Sequence, residues 1–396
     1  MSIFGVQTFG IKTPLIHDND NLVEIIKQTM LDAMREGFSM QNGDVLCITE
    51  SVVARSQGNY ATRGQIVSDL QSKFDTDHLG VVFPIMSRNR FAEILRAISA
   101  GFDQITLQMS YPSDEVGNHL VKPEQIMSAR VNPSADNFAS WEFQKIFGET
   151  KHEFTGVDYI KYYLNPNSDI EGAPAINNIH IVLSNDPTYI LRHTPYVLAA
   201  DIHSRHRTKK AIADTNKAEE ILGLDEIMNE PGKGGYNPDY GLLGSNLATP
   251  GKLKLFPRDC KALAQAVQRW AKETFGIDIE VMVYGDGAFK DPVGKIWELA
   301  DPVVSPGFTD GLEGTPNEVK LKYQIDSMDA SGKSRADGEA SIKEMISAKN
   351  KTHQLGTTPR QYTDLLGSLA DLCSGSGDKG TPLVLVRNYF DNYYSR

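Results

Sequence analysis

The 396-residue sequence predicts a mixed α/β protein, in an α+β arrangement of mixed sheets with flanking helices. Three observations carry that expectation. Short apolar runs of strand length recur, among them VLCIT at 45–49, INNIHIVLS at 176–184 and LVLVRNYF at 383–390. Between them lie segments whose apolar residues fall at helical spacing, such as Leu22, Ile25, Ile26, Met30, Leu31 and Met34. Glycine-rich turns separate the two kinds of segment.

In chain order, a first strand leads through PLIHDNDNL (14–22) into an amphipathic helix over about 22–36, and Asn42-Gly43-Asp44 turns the chain into the strand 45–49. Glu50-Ser51 follows directly. A strand ending in small and charged groups is a place to meet a ligand, although Ser51 as a plain helix cap fits equally. Residues 79–120 read strand, helix, strand and then YPSDEVGN. Ser87-Arg88-Asn89-Arg90 before the helix suits an anion or a solvated cap, and Asp114-Glu115 suits a cation or a common turn. Residues 132–168 are polar and aromatic with little periodicity and read as a peripheral insertion. His203 to Lys210 form the basic cluster of the chain, fit either for a phosphate or polycarboxylate or for a solvated helix face. PGKGGYNPDYGLLGSN (231–246) is a glycine-dense loop that lets backbone approach a ligand, without the Gly-Lys-Ser/Thr ending of a phosphate loop. PRDCKALAQAVQRWAKETFG (257–276) is a helix with a proline start and a glycine stop. The end is polar helix, helix, the glycine turn SGSGDKGTP (374–382) and a last strand. With no repeat and no clear linker, residues 1–396 are expected to form one unit, with insertions near 132–168 and 324–352.

The formal charge of −11 and the lack of a long basic run argue against a nucleic-acid surface. Cys47, Cys260 and Cys373 are too scattered for a disulfide framework or a zinc site, and Cys47 and Cys373 read as core residues of a reducing compartment. The N-terminus lacks the pattern of a signal peptide, and no run approaches the ~20 apolar residues of a membrane span. A cytoplasmic protein that does not engage membranes is expected.

The stretch that organises the rest is IEVMVYGDGAFK (279–290). Ile279, Val281, Met282, Val283 and Tyr284 form a buried strand that Gly285-Asp286-Gly287 ends, with Lys290 within reach. A carboxylate between two glycines at a sheet rim has room for a phosphate or a metal ion; a solvated Asp in a tight turn fits the same residues. Acidic or glycine-rich turns also close the strands at Glu50-Ser51, Tyr236 to Asn246 and Ser374 to Asp378. No Gly-x-Ser-x-Gly elbow, Cys/His pair or dinucleotide fingerprint competes with them. Carboxylates with glycine turns and no side-chain nucleophile suit phosphoryl transfer.

The order of motifs resembles the γ-glutamyl ligases that elongate the deazaflavin coenzyme F-420. The similarity runs through PLIHDNDNL, GDVLCITESVVARSQGN, GLLGSN, VYGDGAFKD and LADLCSGSGDKGTPLVLVRN, over about half of the chain. It implies a ligase that uses GTP or ATP and Mg²⁺ or Mn²⁺. A substrate carboxylate becomes an acyl phosphate, and the amine of L-glutamate displaces the phosphate to form an amide. It further implies a homodimer, catalytic Asp286 and Lys290, and metal at Asp239 and Asp286. Nucleotide contacts would come from Pro14, Leu15, Ile16, Ser51, Arg55, Asn246, Ser376, Gly377 and Asp378.

The sequence departs from the family at three points. The first metal aspartate of the family falls on Leu243, so Asp239 has to take that role. Its Asp-Thr is Asp286-Gly287 here, which removes a hydroxyl ligand. A literal Asp-Thr-Asn occurs at Asp214 to Asn216, but its interval to the closing motif does not match and it reads as helix. The alternatives are a non-catalytic nucleotide- and metal-binding relative, a folate-type polyglutamylating ligase, and a metal-dependent phosphatase or kinase.

Overall fold

A computed structural model describes residues 4–391, apart from 89, 154, 286–287, 291–296, 300–303, 316–318, 333, 348–360 and 375–379. Backbone contacts divide the chain into two compact units. One comprises Met1–Ser56, Asp259–Phe289 and Ala300–Arg396; the other comprises Gln57–Arg258 with Lys290–Leu299. The chain passes between them four times, at 56/57, 258/259, 289/290 and 299/300, and none of these junctions lies in a run of Pro, Gly or Ser.

The first unit holds a five-stranded mixed sheet in the order Gln7–Ile11, Leu383–Arg387, Val45–Thr49, Glu280–Gly285, Val304–Phe308. The 45–49 and 280–285 strands are parallel; 383–387 lies antiparallel to 45–49 and to 7–11. Leu46 and Ile48 pack into a cluster with Ile26 and Met30 of the Leu22–Arg35 helix and Val267 of the Cys260–Phe275 helix. Val45 and Cys47 pack oppositely, with Leu366 and Ala370 of the Tyr362–Ser374 helix. Both faces are covered, so VLCIT is apolar throughout instead of alternating. The helix starts and stops follow the sequence: the Asn21 side chain accepts from the Glu24 amide, and Gly276 ends the 260–275 helix at φ 69°. The span 324–352, expected to hold an insertion, contains parts of two helices, Leu321–Ala330 and Arg335–Ser347, packed around Met328, Ile342 and Ile346.

The second unit holds a six-stranded sheet in the order Phe138–Ala139, Ile179–Leu183, Gln104–Met109, His78–Val82, Tyr196–Ala199, Glu220–Gly223. Every neighbouring pair is parallel except 138–139 with 179–183. Leu79 and Val81 pack on one face with the Arg63–Lys73, Phe91–Gly101 and Tyr159–Leu164 helices; Val82 and Val197 pack on the other with Ile190 and with Ile212 of the Arg205–Ala213 helix. A separate three-stranded sheet joins Asn246–Thr249, Lys252–Lys254 and Tyr60–Thr62.

Residues 132–168 are not peripheral. Phe143, Tyr159, Ile160, Tyr162 and Tyr163 are buried in the main core of the second unit. The tyrosines carry the burial while their hydroxyls find partners: Tyr163 Oη accepts from the Ser87 amide at 2.8 Å and Tyr162 Oη donates to Asp169 at 2.9 Å. Counted as polar, such aromatics hide a core.

Candidate functional site

In the first unit, register brings sequence-distant motifs to one edge of the sheet. Ile11 pairs with Leu383, Leu383 with Ile48, Thr49 with Tyr284, and Gly285 with Val304. The first strand and the 45–49 and 280–285 strands therefore end, and the last strand begins, on the same side of the sheet, at Ile11, Thr49, Gly285 and Leu383.

Hydrogen bonds join these segments. The Arg55 Nε donates to the Ile16 carbonyl, and the Asn19 amide donates to the Ser56 carbonyl at 2.9 Å. The Thr13 amide reaches Gly380 O at 3.4 Å, the Thr49 amide reaches Pro382 O at 3.0 Å, and Thr381 Oγ1 donates to Ser374 O at 2.8 Å. Pro14 and Leu15 are exposed, Leu15 at 85 %, while Ile16 is buried and anchors the segment. Ser51 and Arg55 are exposed, so a guanidinium tethered at one nitrogen stands at the rim with donors to spare for an anion. Ser51 does not cap: the Glu50–Ser56 helix starts one residue earlier.

Glu50, read only as part of the strand end, is 6 % exposed. Burial and then the charge of Glu50 push the Cys260 thiol up to about 12, which places this carboxylate at the base of the edge. Tyr284 is buried beneath the edge, its phenol pushed up by burial and lowered in part by Ser374. All three cysteines are free thiols.

Asp286, Ser376, Gly377 and Asp378 lie outside the described residues, as does the side chain of Lys290, whose backbone belongs to the strand Ala288–Lys290. Gly285 and Gly380, their described neighbours, both lie at this edge.

Asp239 and Asn246 belong to the second unit. Asp239 is exposed in a turn whose amide donates to Asn237 Oδ1 at 3.0 Å; Asn246 opens the 246–249 strand. Leu243, where the resemblance was expected to put a metal aspartate, is a core residue at 4 % exposure. The glycines of this loop serve its own packing. A Cβ on Gly235 would lie 2.5 Å from the Tyr60 carbonyl oxygen, and one on Gly244 would enter the Phe256 ring at 1.9 Å. Gly235→Ala is therefore expected to destabilise the protein by on the order of 2 kcal/mol, read as a lower urea midpoint. An unchanged midpoint would show that Tyr60 gives way freely.

The candidate ligand pair Asp114-Glu115 is spent on structure. Asp114 accepts from the amides of Met86, Val116 and Asn118 and from Asn118 Nδ2, all between 2.8 and 3.1 Å. Glu115 accepts from the amides of Ile202, His203 and Ser204, just before the 205–213 helix. The basic cluster is partly neutralised, by Arg205–Asp225, Lys209–Glu226 and Lys210–Asp214 pairs. Asp214 is the C-cap of that helix, so Asp214 to Asn216, expected to be helical, instead form the turn that follows it, with Asn216 at φ 56°. Among the described residues no group of three His, Cys, Asp or Glu is placed to hold a metal ion, so His203 and His206 make no such site.

Fold and edge together define an α/β protein whose polar strand-end loops converge on one rim of a mixed sheet. The chain belongs to the F420-0:γ-glutamyl ligase family, whose model matches residues 10–388 and so spans both units. The family is one of γ-glutamyl ligases, and membership in it assigns a ligase function with carboxylate and glutamate substrates as the suggested reactants. No curated protein matches the chain. Among the described residues no helix is long and apolar enough to cross a membrane.

Proposed function

We propose that the protein is a nucleotide- and metal-dependent ligase that activates a small-molecule carboxylate as an acyl phosphate and joins it to the amine of L-glutamate. The observation that carries this reading is the shared sheet edge, where the loops at Ile16, Glu50 to Arg55, Gly285 and Gly380 meet. GTP or ATP would lie along that rim. Pro14 to Ile16, Ser51, Arg55, Asn246 and the Ser376 to Asp378 turn are assigned to it, as the family resemblance implies, and Arg55 offers its remaining guanidinium donors to a phosphate. Mg²⁺ or Mn²⁺ would be held by Asp286 and Asp239 and would supply charge neutralisation on the phosphates. The described donor set fits this only in part, since Asp286 lies outside it and Asp239 is an exposed turn residue. Lys290 is assigned to the charge that develops on the transferred phosphoryl group. A cytoplasmic homodimer is part of this reading.

The test is phosphate release from GTP or ATP with Mg²⁺ or Mn²⁺, with and without L-glutamate, across a panel of carboxylate acceptors, with product mass as the second readout. Glutamate-stimulated release with an amide product supports the ligase. Nucleotide binding without stimulation supports the non-catalytic relative, and release without an amide supports a phosphatase or kinase.

Arg55→Ala is expected to raise KM for the nucleotide by roughly ten- to a hundred-fold, the effect of losing a charge-assisted contact. Arg55→Lys should recover only part of it, because an ammonium cannot hold Ile16 O and a phosphate in the same fork. An unchanged KM in both would remove Arg55 from the site.

A further inference from the structure

The second unit has a topological switch point that the ligase reading does not use. From the 78–82 strand the chain winds outward through 104–109 to 179–183, then crosses back to 196–199 and 220–223 on the other side. The Phe91–Gly101 helix packs on one face and the Arg205–Ala213 helix on the other, so the connections diverge between the carboxyl ends of 78–82 and 196–199. In open parallel sheets ligands bind at that crevice.

What lies there is a built oxyanion cradle with an internal occupant. The Glu115 carboxylate accepts from the amide of Ile202, from the His203 amide at 3.1 Å, from the Ser204 amide at 3.1 Å and from Ser204 Oγ at 2.9 Å. Glu115 sits on a loop between a strand and a helix, about ninety residues earlier in the chain, so the occupant can leave without unwinding the cradle.

A second observation is independent of those contacts. Asp201, at the carboxyl end of the 196–199 strand, is 0 % exposed, and its Oδ1 has no hydrogen-bond partner among the described residues. Its Oδ2 is held by Thr208 Oγ1 at 2.7 Å and by Ser204 Oγ at 2.8 Å. The single Ser204 hydroxyl hydrogen thus faces two carboxyl groups, and the Asp201–Ser204–Glu115 chain is satisfied when it carries one further proton. Burial and then the neighbouring charge of Glu115, against the hydroxyls of Thr208 and Ser204, keep the Asp201 carboxyl above its ordinary range. A fully buried polar atom without a partner calls for one, and a ligand donor supplies it. Outside the cradle His206 and Arg207 are exposed on the first turn of the 205–213 helix, a local field that favours anions.

We propose that this crevice is a binding site for the oxyanion group of a small molecule, a phosphate or a carboxylate, and that Glu115 is its displaceable internal occupant. Hydrogen phosphate suits the site chemically: its bare oxygens can replace the Glu115 carboxylate as acceptors, and its P–O–H is a donor of the kind that Asp201 Oδ1 lacks. The proposal concerns the second unit alone, so its failure leaves the ligase reading untouched.

The full chain, wild type and Glu115→Ala, is titrated calorimetrically with inorganic phosphate in one arm and succinate in the other. Glu115→Ala should bind at least one of them ten-fold or more tightly than wild type, and adding Ser204→Ala should reverse most of that gain. Phosphate alone identifies a phosphorylated ligand, while succinate binding as well identifies a carboxylate. A folded Glu115→Ala protein that binds neither more tightly overturns the proposal. If that variant does not fold, hydrogen exchange of wild type with saturating phosphate decides. Faster exchange at Val116 and Asn118 with slower exchange at Ile202 to Ser204 supports displacement, and unchanged exchange in both segments overturns it.

Discussion

Asp286→Asn should abolish glutamate-stimulated phosphate release, lowering kcat/KM by on the order of 10³-fold while leaving the thermal transition within a degree or two. The argument is one of position and charge. In sequence Asp286 follows Gly285, which pairs with Val304 at the edge where Thr49 meets Tyr284 and to which Arg55 and Gly380 also belong, and the family resemblance assigns it the metal. Asparagine keeps the volume and one acceptor oxygen and removes the charge that a divalent cation needs. The measurement is steady-state release at saturating Mn²⁺ with the amide product followed by mass. A variant that keeps more than a tenth of wild-type activity would take Asp286 out of the metal site.

The largest effect on stability is expected from Arg96→Ala in the second unit. Arg96 is 5 % exposed, and it ties three elements together. Its Nη1 meets Glu93 Oε2 at 3.1 Å, its Nη2 meets Asp169 Oδ1 at 2.8 Å and Tyr162 Oη at 3.2 Å, and its Nε donates to Pro166 O at 3.1 Å. Removing the guanidinium leaves Glu93, 2 % exposed, with Arg63 at 2.7 Å as its remaining ion pair among the described residues. Breaking a buried pair from one side costs about 3–5 kcal/mol. Guanidinium unfolding of Arg96→Ala should show a loss of that size, and Glu93→Gln/Arg96→Met, which removes both charges, should recover a substantial part. A loss under about 1 kcal/mol would mean that water reaches Glu93 and that the network is dispensable.

Much of the first unit was legible because its strands are buried on both faces and its helices are punctuated. VLCIT and LVLVR read as strands without alternation, and Pro257 and Gly276 bracket the helix that leads to 280–285. The meeting of the 14–16, 50–55 and 380–382 segments follows from strand order, which a resemblance in motif order anticipates and periodicity alone does not. Other features escaped for physical reasons. A glycine that admits its own neighbour's backbone, as Gly235 admits Tyr60, carries the same letter as one that admits a ligand. Asp114 and Glu115 look like cation ligands in sequence because capping and coordination use the same acceptor oxygens. The tyrosines of 159–163 build core under a polar label.

The reading of the first unit's edge as the nucleotide rim is tested most directly by a crystal grown with GTP or ATP and Mn²⁺, with anomalous scattering used to find the manganese. The metal is predicted beside Asp286, with the phosphates against Arg55 and the Ser376 to Asp378 turn. Manganese and nucleotide bound away from the loops that follow Ile11, Thr49 and Gly285 would contradict it.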